Sequence, residues 1–237
     1  MSFQPSPTPK SRGPWILAAV AAVVAVVAGY TFLRGGNEDT NATAAPDSSS
    51  NGTTAVAVAG PKLSGGEPVI TAPITVSGDA LPAVTEGGTD PARGKTFPTL
   101  SGVAVADGAP LSVPAIGKPT VVIFVAHWCP HCQEEIPRLA EWLAANGTPA
   151  DVALFTVSTA VAEERGNFPP AAWLEKEDWP VPTLADDEPG SAFKAAGLAS
   201  FPAFVAIDAK GKVVQRSSGE LSTKQFEALL QQARSSQ

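Results

Sequence analysis

The apolar run Val121–Ala126 passes without a break into His127-Trp128-Cys129-Pro130-His131-Cys132. An uninterrupted apolar stretch, bounded upstream by Lys118-Pro119, reads as a central strand covered on both faces. Past the cysteines, Cys132, Ile136, Leu139, Ala140 and Leu143 recur at helical spacing, and Asn146-Gly147 supplies a helix stop. Val152–Ser158 then forms a second buried strand. Strand, helix and strand in close succession make a βαβ unit, which requires parallel strands.

The remaining pattern continues this unit. Pro169–Glu177 reads as the start of an amphipathic helix, with Pro170 near its first turn. A short helix is expected around Ser191–Ala196. Ala203–Ile207 and Lys212–Arg216 are two short strands joined by the turn Asp208-Ala209-Lys210-Gly211. Thr223–Arg234 closes the chain as an amphipathic helix with Phe226, Leu229 and Leu230 on one face. Upstream, the alternating piece 69–76 is broken by Pro73 and is either an edge strand or extended chain. These elements give an α/β fold, a mixed central sheet flanked by helices, on the thioredoxin plan.

The chemistry is concentrated in one place. The chain has two cysteines and two histidines, all within 127–132. A structural disulfide framework scatters its cysteines, so this C-x-x-C reads as redox-active or as part of a metal site. It falls where a strand ends and a helix begins. First-turn N–H groups lack partners there and the helix dipole is positive, so a thiolate at Cys129 is stabilised. Pro130 suits a first-turn position, and a protonated His131 adds positive charge nearby. A better-stabilised thiolate makes the disulfide more oxidising. Cys132 lies one turn in, facing the core, placed to resolve a mixed disulfide. Structural zinc takes four ligands, and no third cysteine or distant histidine exists. Cu(I) accepts two thiolates, so an exported copper-binding module is the alternative reading.

Other classes are excluded. Net charge is −7 with 16% charged residues, and no basic stripe points to nucleic acid. No nucleotide or flavin fingerprint occurs, and Gln133 after Cys132 rules out a C-x-x-C-H haem attachment. No cofactor is expected beyond a redox-active Cys129–Cys132 disulfide.

Residues 121–143 (VVIFVAHWCPHCQEEIPRLAEWL) resemble the active-site region of TlpA/ResA-like thioredoxin-family proteins, which are membrane-anchored extracytoplasmic disulfide oxidoreductases. The likeness extends over about 92–237 and includes GKTFPTLSG (94–102), GLASFPAFVAIDAKGKVV (197–214) and SGEL (218–221). It implies that Cys129 is the exposed nucleophile and Cys132 the resolving thiol. It implies that Pro202 is a cis-proline against the disulfide, and that the backbone of Phe201 pairs with a bound substrate strand. It also matches Glu135 to a helix carboxylate that exchanges protons with Cys132. Trp128, Pro130 and His131 complete the environment. Two departures leave the direction of electron flow open. Pro130-His131 is typical of DsbA-like oxidants, although no large helical insertion of that group is present. Ile123 stands where thioredoxins proper carry a buried Asp. The implied partners are protein thiols and disulfides (apocytochrome c, secreted proteins or another oxidoreductase) and a membrane redox protein.

The N-terminal part carries the cellular address. Trp15–Leu33 contains no charge and reaches about 28 Å as a helix, enough for a bilayer core. Lys10 and Arg12 precede it, a weak N-inside bias. The rival reading is a cleaved secretory signal, and both readings export the rest of the chain. The expected organisation is a short cytoplasmic N-terminus (1–14), a transmembrane signal anchor (15–33), a disordered linker (34–68), an extended lead-in (69–91) and a thioredoxin-like domain (92–237) outside the cytoplasm.

Overall fold

The structure is a computed structural model that describes residues 67–85 and 89–235. The expected segments 1–14 and 15–33, and all but the end of 34–68, lie outside the described residues. Among the described residues no helix is long and apolar enough to cross a membrane.

The central sheet is built on β4 (Thr120–Val125), whose residues are all buried. It pairs in parallel with β5 (Ala153–Ser158) and antiparallel with β7 (Ala203–Ile207). Outside these lie β6 (Thr183–Ala185), parallel to β5, and β8 (Val213–Ser218), antiparallel to β7, giving the order β6-β5-β4-β7-β8. This is the mixed sheet of the thioredoxin fold. The βαβ unit and the β-hairpin stand where the sequence places them, with ends moved by a residue or two.

Alternation along β4 divides the core. Val121, Ile123 and Val125 join a cluster with Ile136, Leu139 and Leu143 of α1 (Pro130–Asn146) and with Phe226, Leu229 and Leu230 of α4 (Thr223–Ser235). Val122 and Phe124 point the other way, into a cluster with Leu100, Leu184 and the alanines of α3 (Ser191–Ala195). Trp173 and Leu174 of α2 (Pro170–Lys176) cap the first cluster. Each such apolar side chain contributes about 1.5–3 kcal/mol on burial.

A second sheet was not legible beforehand. β1 (Thr75–Ser77), β2 (Thr99–Val103) and β3 (Pro110–Val113) form an antiparallel three-stranded unit. The open question at 69–76 resolves as extended chain running into the edge strand β1. Leu81 N–H donates to Ala195 O (2.8 Å) and Val84 N–H to Gly197 O (3.0 Å), so the lead-in is knitted onto α3. Gly197 has φ +63°, and a Cβ there would sit 2.5 Å from Pro82 O, so glycine is what lets the two segments touch.

Arg216 fastens this contact. Its side chain is 1% exposed. It donates to both carboxylate oxygens of Asp90 and to the carbonyls of Pro82, Ala196 and Gly197. The ion pair lowers the Asp90 carboxyl below its ordinary range, mainly through the hydrogen bond from Arg216. Removing one partner of a buried pair strands the other. Arg216→Met is therefore expected to lower the free energy of unfolding by about 3 kcal/mol, read from urea transitions. A loss below about 1 kcal/mol, the range of a surface pair, contradicts the role of this clamp.

Candidate active site

β4 ends at Val125, and the chain passes through Ala126, His127 and Trp128 before α1 begins. Cys129 is the N-cap of α1, in extended conformation, and Pro130 occupies the first turn. Gln133 N–H closes that turn on Cys129 O at 3.1 Å. Both cysteines are free thiols, close enough to hydrogen-bond to each other. Cys132 has no exposure and Cys129 has 8%. The nucleophile expected to be exposed is thus largely covered, because α1 begins inside the rim made by Trp128 and Phe201.

The opposite wall is the turn before β7. The Phe201–Pro202 bond is cis, and Cys129 Sγ lies 3.8 Å from Phe201 O, with the thiol as donor. Trp128 packs edge-on against Phe201, with ring centroids 6.3 Å apart. Its indole N–H donates to Ala160 O at 2.6 Å, and the Arg165 guanidinium lies 4.3 Å over its ring. The structure therefore brings Cys129, Cys132, Trp128, Phe201 and Pro202 together. His131 turns away from this group to the turn between β8 and α4, where its Nδ1 lies 2.8 Å from Glu220 Oε1.

Glu135 is fully buried. Helical spacing carries it inward with Cys132 and Leu139, while Glu134 faces outward. Its Oε2 accepts hydrogen bonds from Arg138 Nη2 and from Leu221 N–H (3.0 Å), and its Oε1 has no partner. Burial pushes this carboxyl above its ordinary range, against the pull of Arg138 and the Leu221 N–H. Burial likewise pushes the Cys132 thiol far up, with repulsion from Cys129 and Glu135 adding to it. Arg138, Glu220 and Leu221 were missed in the sequence. The i,i+3 spacing of Glu135 and Arg138 was the available signal.

His127 has a different character from the rest of the motif. Crowding with the cysteines grouped it with the reactive residues. The structure buries it completely and uses both ring nitrogens. Nδ1–H donates to Gly166 O at 2.8 Å, and Nε2 accepts from Ala162 N–H at 3.2 Å. The ring is a neutral staple holding the 160–167 loop beside Trp128. Among the described residues no three His, Cys, Asp or Glu side chains are grouped to hold a metal ion.

The family model described as Redoxin matches residues 77–231. The chain belongs to the redoxin family. It is a thiol–disulfide oxidoreductase. This redoxin is 22% identical over 120 residues to sporulation thiol-disulfide oxidoreductase A of Bacillus subtilis, covering 51% of this chain and 71% of the relative. Among solved structures, StoA from B. subtilis aligns at 21% identity with a TM-score of 0.47, over 55% of this chain and 95% of that one. A thioredoxin family thiol:disulfide interchange protein from Chlorobium tepidum aligns at 25% identity with a TM-score of 0.49, over 60% and 97%. A secreted Mycobacterium tuberculosis disulfide oxidoreductase aligns at 24% with a TM-score of 0.46, over 55% and 93%.

Burial depresses the proton affinity of His127. A histidine whose folded pKa lies below its unfolded value of about 6.5 costs stability as pH falls through that value, because only the unfolded chain takes up the proton. Glu135 and Asp186, both pushed up by burial, act in the opposite sense. The comparison is therefore made against His127→Gln. Between pH 7.5 and 5.5 the wild type is expected to lose more unfolding free energy than the variant does, by urea denaturation. Equal losses contradict a neutral, buried His127.

Proposed function

We propose that this redoxin is tethered by its N-terminal segment with its domain outside the cytoplasm, and that it reduces protein disulfides through Cys129 and Cys132. The observation that carries the reading is the asymmetry of the pair. One thiol sits at a helix N-terminus and donates to the backbone carbonyl of Phe201, and the other lies fully inside. The uncharged run Trp15–Leu33 supports the tether.

The chemistry follows from that asymmetry. The Cys129 thiolate attacks one sulfur of a client disulfide, whose other sulfur leaves as a thiolate. The client strand lies along Phe201, in the manner of strand addition. Cys132 then gives its proton to Glu135 and attacks Cys129 Sγ. The bond from Cys129 to the client breaks, the client's second thiolate leaves, and the Cys129–Cys132 disulfide remains. Two electrons have passed to the client. A membrane redox protein returns them, since no cofactor is proposed.

One feature supports the reductive direction. An oxidant draws its driving force from a stabilised thiolate of the attacking cysteine in the reduced form. The His131 ring faces the Glu220 carboxylate, so a proton on it is offset there and lends the Cys129 sulfur little positive charge.

The roles are tested by following insulin disulfide reduction in the presence of a small dithiol. Cys129→Ser is expected to fall to the uncatalysed rate. Cys132→Ser is expected to accumulate a client mixed disulfide, visible by non-reducing electrophoresis. Equal rates for wild type and Cys129→Ser overturn the proposal.

A further inference from the structure

Glu135 is connected to the surface by a chain of side chains. Arg138 Nη2 donates to Glu135 Oε2 and also to Glu220 Oε2 at 3.1 Å. Glu220 Oε1 in turn meets His131 Nδ1. The path runs from a carboxylate with no exposure to the motif histidine on the surface, crossing between α1 and the β8–α4 turn. The same turn supplies the Leu221 N–H that reaches Glu135.

We propose that Arg138 and Glu220 are positioning residues that control proton transfer between Glu135 and Cys132. The inference rests on the thiol–disulfide reading above. Neither residue touches a reacting sulfur in this arrangement. They act through Glu135.

The physical argument starts from desolvation. A lone buried carboxylate is several kcal/mol away from being ionised comfortably, so Glu135 without a partner holds its proton. A carboxyl that never ionises cannot accept the proton of Cys132. Arg138 supplies the opposing charge, and with the Leu221 N–H it holds one oxygen of Glu135 while Oε1 stays without a hydrogen bond. The carboxyl is thereby poised between its two states. Arg138 is not dedicated to it, because Glu220 competes for the same Nη2. Glu220 also adds a negative charge close enough to favour the protonated form of Glu135. The titratable and charged groups around Glu135 are therefore Cys132 and Arg138 on its own helix and Glu220 on the facing turn, with Cys129 and His131 one contact further away.

This arrangement fixes the sign of two substitutions. Removing the charge of Arg138 leaves Glu135 without its cation, so it keeps its proton to higher pH. Removing the charge of Glu220 leaves Arg138 unshared and takes away a repelling charge, so Glu135 releases its proton at lower pH. Packing damage does not produce opposite shifts of one titration.

The test isolates the resolving step. The full chain is prepared as the mixed disulfide of Cys129 with glutathione, and glutathione release by Cys132 is followed from about pH 4.5 to 9. Release needs ionised Glu135, so its rate rises through an acid limb. Arg138→Met is expected to move that limb up by about one pH unit, the size of a lost neighbouring opposite charge. Glu220→Gln, an exposed isosteric change that leaves the core intact, is expected to move it down by a smaller amount. Glu135→Gln is expected to abolish the limb. The carboxyl carbon-13 shift of Glu135 reports the same movements without any turnover. Unmoved limbs, shifts of like sign, or a limb that survives Glu135→Gln overturn the proposal. If release is Cys132-dependent but the limb does not respond, this inference alone fails. If release in Cys132→Ser equals the wild type, the thiol–disulfide reading fails with it.

Discussion

The end of β4 is the constraint from which the site derives. All six of its residues are buried, and they serve two clusters on opposite faces of the sheet. The strand cannot slide by one residue without turning Ile123 and Phe124 onto each other's faces. Its register fixes where the chain leaves the sheet, and therefore where α1 starts. With Pro130 in the first turn, Cys129 falls at the helix N-cap and Cys132 one turn inside. The same register aligns Phe124 with Ala203 of β7, which brings the Phe201–Pro202 turn opposite Cys129. One strand thus sets both walls of the site.

The buried Glu135 is the polar counterpart of this packing. It occupies a core position on α1 that an apolar residue would fill without desolvation. Its burial calls for Arg138, which calls for Glu220, and Glu220 holds His131. His131 is thereby joined through Glu220 and Arg138 to the buried Glu135. In the reductive reading proposed above, Glu220 offsets the positive charge that a protonated His131 would bring near the thiols.

The legible parts of the fold were those governed by short-range pattern. Val121–Ala126, the helical spacing from Cys132 to Leu143 and the hairpin around Asp208–Gly211 each declare themselves within a dozen residues. The hairpin of β2 and β3 did not, because Thr99–Val103 and Pro110–Val113 mix exposed and buried residues without strict alternation. β6 has only three residues and is recognised as a strand through its partner β5. The Arg216–Asp90 clamp and the His131–Glu220 contact join residues far apart in the chain, and nothing local announces them. Within the site, the thiols were legible from spacing, while Pro202 was singled out by resemblance alone. His127 was counted only as part of the crowding at 127–132, since adjacency to cysteines does not reveal that both ring nitrogens face backbone groups. Glu135 too was singled out by resemblance alone, and the structure buries it on the same helical face as Cys132 and Leu139.

The central claim is that a pair set in this frame gives electrons up despite its Pro-His dipeptide. The reduction potential of the Cys129–Cys132 couple tests that most directly, by equilibration with a glutathione buffer of known poise. The account predicts a value close to the about −270 mV of thioredoxin. A value near the about −120 mV of DsbA would contradict it.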